Sequence, residues 1–401
     1  MIASRPQPRR FRSVSALDLP LGSMLVVVGI AFLGVSRPQL VSNLVVTDIL
    51  LAGMIVIWCA HLWMGQALST IEARAMAIPV SLIFGGSILA SAYVGVRGFV
   101  VSDLVRDLGA FCGFLAAIDI LRRGGQALLT WTLRAVSVAV VILTVWLVLF
   151  DSTLRGRASF PNPNVPAHFL ACATILFAMV DMPRAARVIM VFVSLVGIYR
   201  TGSFGASLQI AAAITYVAVT HVIARTRNRE RTRAAFFAGV VLGAAAVVTA
   251  VSAYLGRAAA NDESGLSSKR LTRSSSTRFS VWGEALSNWQ QHPFGTGPGS
   301  SRALHLLASA TEPHNEPLAY LSERGPIALI GLVLLWLAIW KMGPPRGITR
   351  ALLCGYLVGS VFRETLHYRH WWLLLAFAVV LDHSGAGSTR AVVHPSLGSP
   401  R

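Results

Sequence analysis

His314 stands in the run Glu312-Pro313-His314-Asn315-Glu316-Pro317, at the head of a short helical stretch that Gly325 stops. Imidazole changes charge near neutral pH, so a histidine held at a helix start is suited to take a proton from a hydroxyl. Upstream lies Arg278-Phe-Ser-Val-Trp282-Gly-Glu284-Ala-Leu-Ser-Asn-Trp289, whose apolar positions recur at helical spacing. This reads as an amphipathic helix at a membrane surface, with Arg278 and Trp282 one turn apart on one face. Its plainer role is an interfacial anchor whose arginine meets lipid headgroups. Between the two runs, His292-Pro-Phe-Gly295-Thr-Gly297-Pro-Gly299 predicts a tight turn. Such turns bring backbone N–H groups towards an anion, although this one is neither a Walker A loop nor a dinucleotide fingerprint, and a plain turn would look the same.

More cations stand on other connections. Tyr199-Arg200-Thr201-Gly202-Ser203-Phe204-Gly205 offers Arg200, able to meet phosphate or simply to snorkel to the interface. Arg363-Glu364 and His367-Tyr-Arg369-His370 add charge, and Phe160-Pro161-Asn162-Pro163-Asn164-Val-Pro166-Ala-His168 predicts a compact turn leading into a helix. Arg200, Arg363 and Asn315 thus join His314, Arg278, Trp282, Gly295 and Gly297 as candidate site residues.

The elements that must position them are membrane helices. The chain has 401 residues, of which 54% are hydrophobic and only 13% charged. Apolar runs long enough to cross about 30 Å of hydrocarbon recur along it. The expected architecture is an all-α polytopic bundle of about twelve spans: 19–36, 43–63, 75–94, 102–121, 127–150, 166–181, 185–199, 204–223, 235–255, 326–341, 348–362 and 371–383. One large aqueous loop, 256–325, carries short helices, with Ala258–Ser276 as a mobile strap. Residues 1–18 form a basic tail and 384–401 a disordered one. Arg5, Arg9, Arg10 and Arg12 before the first apolar run resemble a signal-peptide start, but Leu19–Ser36 lacks a cleavage site and reads as an uncleaved span.

The net charge of +18 is not the mark of a nucleic-acid binder, because the basic residues alternate from side to side of the spans. Apart from the long loop, 19 Arg and Lys fall on the side of the termini and 7 on the other. That asymmetry predicts cytoplasmic termini and an extracytoplasmic 256–325 loop in a multi-pass protein of the inner or plasma membrane. Cys59, Cys112, Cys172 and Cys354 all lie in predicted spans and form neither a disulfide framework nor a metal motif. Within the spans, charge is sparse, and Asp103 and Arg106 are spaced to pair.

Taken in order, the Asn162-Pro-Asn164 turn, the Thr201-Gly-Ser203 link, Arg278 with Trp282, the Pro293–Gly299 turn, and His314-Asn315 ahead of Glu323-Arg324-Gly325 resemble the O-antigen ligase and O-antigen polymerase superfamily of bacterial membrane glycosyltransferases. The resemblance covers about residues 155–340. It implies a helical membrane protein with one large outer loop, moving a glycan from an undecaprenyl-diphosphate carrier to a lipid or saccharide acceptor without metal or nucleotide. By the same resemblance Arg278 engages the diphosphate and His314 deprotonates the acceptor. The family link reads Thr-Gly-Ser-Arg-Gly; here Phe204 replaces the arginine, and Arg200, four residues earlier, would share its face if the link were helical. A transporter or flippase for a lipid-linked saccharide would use the same basic surface to hold phosphate, but has little need of a base in an outer loop. A non-catalytic assembly partner would not need Arg278 and His314 to meet.

Overall fold

The computed structural model describes residues 21–35, 39–41, 44–95, 97–151, 157–158, 160, 162–225, 266–307, 313–362, 366 and 368–384, with side chains in the 266–291 helix described from Phe279 onward. The expected ninth span at 235–255, both predicted tails apart from Ser384, and Arg363 lie outside the described residues.

What is described is almost wholly helical. The chain runs through α1 (Leu21–Val35), a small antiparallel pair of β1 (Gln39–Val41) and β2 (Leu44–Val45), α2 (Val46–Trp63), α3 (Thr70–Val94) and α4 (Gly98–Val145). There follow α5 (Asn164–Met179), α6 (Arg184–Thr201), α7 (Phe204–Arg225), α8 (Leu266–Gln291), α9 (Ser300–Ala303) and α10 (Glu316–Ala319). A widened π turn (Tyr320–Arg324) leads into α11 (Gly325–Met342), then α12 (Ile348–Ser360) and α13 (Arg369–His383). In hydrocarbon only a helix or a closed barrel satisfies its own backbone, which is why apolar runs without breakers become helices here.

Eleven of the twelve predicted spans coincide with these helices, two of them fused. A straight helix of the length of α4 would extend about 72 Å, more than twice the hydrocarbon thickness. Gly125, at φ 55 and ψ −152, breaks it into two arms, matching the spans expected at 102–121 and 127–150. By length and composition, four helical stretches are able to cross a membrane: Thr70–Tyr93, Gly98–Phe150, Phe204–Ile223 and Glu316–Met342. Shorter apolar helices, Leu21–Ala31, Thr47–Trp63, Asn164–Met179 and Ile348–Ser360, accompany them. This is a multi-pass membrane protein by its helices.

The 256–325 segment departs from its expected form. Residues 266–276, read from sequence as part of a mobile strap, are the first turns of α8, and α8 at 26 residues is not a short helix. Serine and charge do not prevent a helix where Leu, Lys and Arg keep propensity adequate.

Packing centres on α13, in which every residue from His370 to Leu381 is buried. It contacts α1, α4, α5 and α12. A helix apolar all round belongs inside a bundle. On another side α3 lies along α11, where a Cβ at Gly86 would stand 2.6 Å from the Ala328 nitrogen; the two backbones touch, as small residues allow in membrane helices. The sparse intramembrane charges are tied down. Asp103 pairs with Arg106 at 3.2 Å, as their spacing predicts; Asp119 meets His61 at 2.5 Å and Arg123 at 3.0 Å; Asp48 pairs with Arg369.

Candidate functional site

His314 sits immediately before the Asn315 N-cap of α10, where the sequence places it. The Asn315 side chain accepts the Leu318 N–H at 3.0 Å, and Pro317 stands in the first turn. His314 itself has φ 52, a left-handed backbone that costs a non-glycine residue of order 1 kcal/mol or more. Two anchors hold it there. The Trp282 indole N–H donates to the Pro313 carbonyl at 3.1 Å, tying α8 to the residue before His314. Behind it, the buried Glu316 carboxylate accepts the Tyr356 hydroxyl at 2.6 Å and the Leu366 N–H at 3.0 Å. Arg278 lies one helical turn before Trp282 in α8; its side chain lies outside what is described.

The glycine turn is where the sequence puts it, and its amides do meet an anion. That anion is internal. The Glu323 carboxylate accepts the Gly299 N–H at 2.8 Å and the Ser301 N–H at 3.2 Å. The Glu323 carbonyl takes the Gly297 N–H at 2.7 Å, and the Ser322 carbonyl takes that of Thr296 at 3.2 Å. The turn is thus laid against the π turn backbone to backbone. Gly295 (φ 92) and Gly325 (φ 76) make the contact possible: a Cβ on Gly295 would stand 2.6 Å from the Glu323 carbonyl oxygen, and one on Gly325 would strike the Phe294 carbonyl. Gly325 ends the π turn, as the sequence reading has it, and α11 begins at the same residue. Gly295 and Gly297 therefore shape the loop, and their amides are spent within it.

Arg324, the next residue along, is buried and pairs in the opposite direction, with Asp107 of α4 and, at 3.3 Å, with the Ser87 hydroxyl of α3. Its guanidinium lies over the Tyr320 ring at 4.7 Å. Neither Asp107 nor Ser87 could be matched to Arg324 by spacing. Glu316 and Glu323 enter the sequence reading only as members of their motifs, with no partner assigned, and Tyr356 not at all; what the two glutamates hold, Tyr356 and Leu366 for one and the Gly299 and Ser301 amides for the other, comes from the structure.

A second group of loops gathers around the end of α4. Arg200 donates through Nε to the Leu147 carbonyl at 3.1 Å and through Nη2 to the Asp151 carbonyl at 2.9 Å, closing the C-terminal π turn Trp146–Phe150. The Asp151 carboxylate accepts the Arg157 and Ala158 N–H groups, each at 2.6 Å. The Asn162-Pro-Asn164 run forms the compact turn expected of it, with the Asn164 N–H on the Asn162 side chain at 2.9 Å. Ser203 then donates to the Asn164 side chain at 3.1 Å, so two separate motifs meet in one bond. The link is not continuous helix. Gly202 takes a left-handed turn that closes α6, and Phe204 opens α7, so Arg200 and Phe204 do not share a helical face. Phe204 packs edge-on against Phe362 at 5.9 Å.

That aromatic contact and the Leu366–Glu316 bond join the two groups: the connection holding Arg363 touches the Thr201–Gly205 link at one end and the His314 helix at the other. Beneath it, buried His168 and His370 are hydrogen-bonded at 2.8 Å, joining α5 to α13. The structure thus sets Trp282 against Pro313, next to His314 and Asn315, lays Gly295 and Gly297 against Ser322–Gly325, and sets the Arg200 link beside the connection that meets Glu316. Among the described residues no three His, Cys, Asp or Glu side chains gather as a metal site.

A protein-family model described as O-antigen ligase matches residues 189–333, from within α6 to within α11. The matched stretch holds Arg200, the glycine turn, α8 and the His314 helix. No curated protein sequence matches the chain.

Proposed function

We propose that this membrane protein, whose residues 189–333 match a family model described as O-antigen ligase, belongs to the O-antigen ligase and polymerase superfamily and transfers a glycan from an undecaprenyl-diphosphate carrier to a hydroxyl of a lipid or saccharide acceptor. The observation that carries the reading is His314: a left-handed histidine at a helix start, pinned on one side by Trp282 and on the other by Asn315 and Glu316, inside the matched domain. Strain of this kind persists only where the surroundings enforce it, and functional residues are where it gathers.

The acceptor hydroxyl gives its proton to the His314 imidazole as its oxygen bonds to the anomeric carbon. The bond from that carbon to the diphosphate oxygen breaks, and the electron pair leaves with the carrier diphosphate. One displacement with one base inverts the anomeric centre. The leaving group is already a good anion and needs a cation rather than a general acid, a role for the Arg278 guanidinium and its bidentate fork. Arg363 and Arg200 stand on neighbouring connections as further cations. Arg200 spends two of its donors on the Leu147 and Asp151 carbonyls beyond the end of α4, so its main contribution is to hold the Thr201–Gly205 link in place. Arginine neutralises the diphosphate in this scheme, and neither divalent metal nor nucleotide takes part.

A transporter would be expected to keep titratable groups available along its path. Here Asp48, Asp103, Asp107 and Asp119 are each engaged in ion pairs, which favours the transferase over the flippase. The test is direct: purified protein, a synthetic undecaprenyl-diphosphate oligosaccharide and candidate acceptors, with carrier release followed over time. Release that depends on acceptor and on His314 supports the reading; movement of the lipid-linked donor across vesicles without its cleavage would move the flippase ahead.

A further inference from the structure

We propose that Glu323 is the positioning residue of the loop site: its buried carboxylate, by holding the Gly299 and Ser301 amides, fixes the helix that carries Arg278 and Trp282 against the segment that carries His314. The proposal rests on the transferase reading above. Glu323 reaches no substrate; it acts through the turn.

The geometry is that of a clamp between the two halves of the site. Helix α8 ends at Gln291 and passes straight into the glycine turn, so the seating of that turn sets the direction in which α8 leaves it. Trp282 stands about 14 Å back along the helix axis from Gln291, and Arg278 about 20 Å. A tilt of only about 10° at the turn would move Trp282 by about 2 Å and Arg278 by more than about 3 Å at this rise per residue. Misplacement of about 1 Å in a group that positions a reactant can cost about a hundredfold in rate. Along its length α8 is held against the His314 segment by the Trp282 bond to the Pro313 carbonyl and by Val281 and Ala285 packed with Leu307 and Leu318, so its remaining freedom lies at the turn.

Glu323 fixes the turn from which α8 extends. Glu323 is 8% exposed as a residue, and its carboxylate accepts from Gly299 and Ser301 at 2.8 and 3.2 Å, while its own carbonyl holds Gly297 at 2.7 Å. The clamp has a fixed reference, because adjacent Arg324 is locked to Asp107 of α4 and Ser87 of α3. Asp103 of α4 also closes on the turn: a Cβ at Gly299 would stand 2.9 Å from its carboxylate. The amides that could have bound a substrate phosphate are thereby committed to holding the loop, and phosphate recognition passes to arginine.

Hydrogen exchange and steady-state kinetics on the full-length protein in detergent test this together. In Glu323→Ala, amide exchange over 297–303 should accelerate at least about tenfold, and kcat for transfer from the synthetic lipid-linked donor should fall about a hundredfold, with KM for that donor within about threefold. Glu323→Gln, which keeps the volume and one acceptor oxygen, should fall between, and it serves in place of Ala if the smaller variant does not fold. His314→Ala should lose turnover with exchange over 297–303 unchanged. Unaltered exchange in both Glu323 variants overturns the clamp. Faster exchange with kcat retained overturns the positioning role. If the wild type transfers nothing, the transferase reading falls and takes the kinetic half with it, while exchange still decides the clamp.

Discussion

At the scale of single residues, the proposed site turns on His314 and Arg278. His314→Ala should lower turnover about 10²–10⁴-fold, the usual worth of a positioned base, with thermal unfolding little changed because the residue lies outside the packed helices. Initial rates of carrier release check it. Arg278→Ala should lose activity to a similar order, several kcal/mol of charge stabilisation in a water-poor site, and Arg278→Lys should recover only part, since ammonium has no bidentate fork. His292, which meets the Tyr93 ring at 4.1 Å, is the internal control; its replacement by Ala should be mild. A severe His292→Ala beside a healthy His314→Ala would mean the base is the other histidine. His314 and Asn315 could be read because a capped helix start has a local pattern. Glu323 could not, because its partners lie across a reversal of the chain, and the same amides read equally well as open to phosphate.

At the scale of elements, the loop is attached to the membrane helices by charge. Asp107 and Arg324 are 1% and 3% exposed at their side chains, so neither charge has water to fall back on. Breaking such a pair from one side costs about 3–5 kcal/mol, whereas replacing both partners by apolar groups of similar volume costs much less. Asp107→Asn should therefore lower the unfolding temperature in detergent markedly, and the double variant Asp107→Leu/Arg324→Met should lie closer to the wild type. A double variant less stable than either single would show that the pair contributes more than it costs to bury. Hydropathy was enough to locate helices such as α2, α7 and α12 to within a few residues, because run length and backbone satisfaction decide them. It could not assign α8 its first turns, where polar side chains hide the helix from an apolar count, nor foresee that Gly202 would separate Arg200 from Phe204.

At the scale of the whole molecule, the alternation of basic residues predicts cytoplasmic termini and an outer 256–325 loop, an orientation to be tested. A single cysteine introduced at Ser275, in a background with Cys59, Cys112, Cys172 and Cys354 replaced, should react with a membrane-impermeant maleimide in intact cells. Reaction only after permeabilisation would invert the topology and with it the side on which transfer occurs. Transfer should also survive EDTA; loss of activity that magnesium restores would assign the diphosphate to a metal instead of to arginine. What no hydropathy profile reveals is which helix is central, because lipid tails are as apolar as leucine and a run facing lipid looks like one facing protein. Exposed Phe150, Phe192 and Tyr199 and buried Trp371 and Trp372 all come from stretches that read as spans.

That hidden centre has a consequence in time. α13 is the last of the described helices to be synthesised, yet α1, α4, α5 and α12 all pack against it. Those helices are thus expected to reach their full packing only once α13 has joined them and His370 meets His168. On that expectation, the connection that touches both the Arg200 link and the His314 helix gains its fixed end last, and the two groups of loops are joined only when the final described helix is in place.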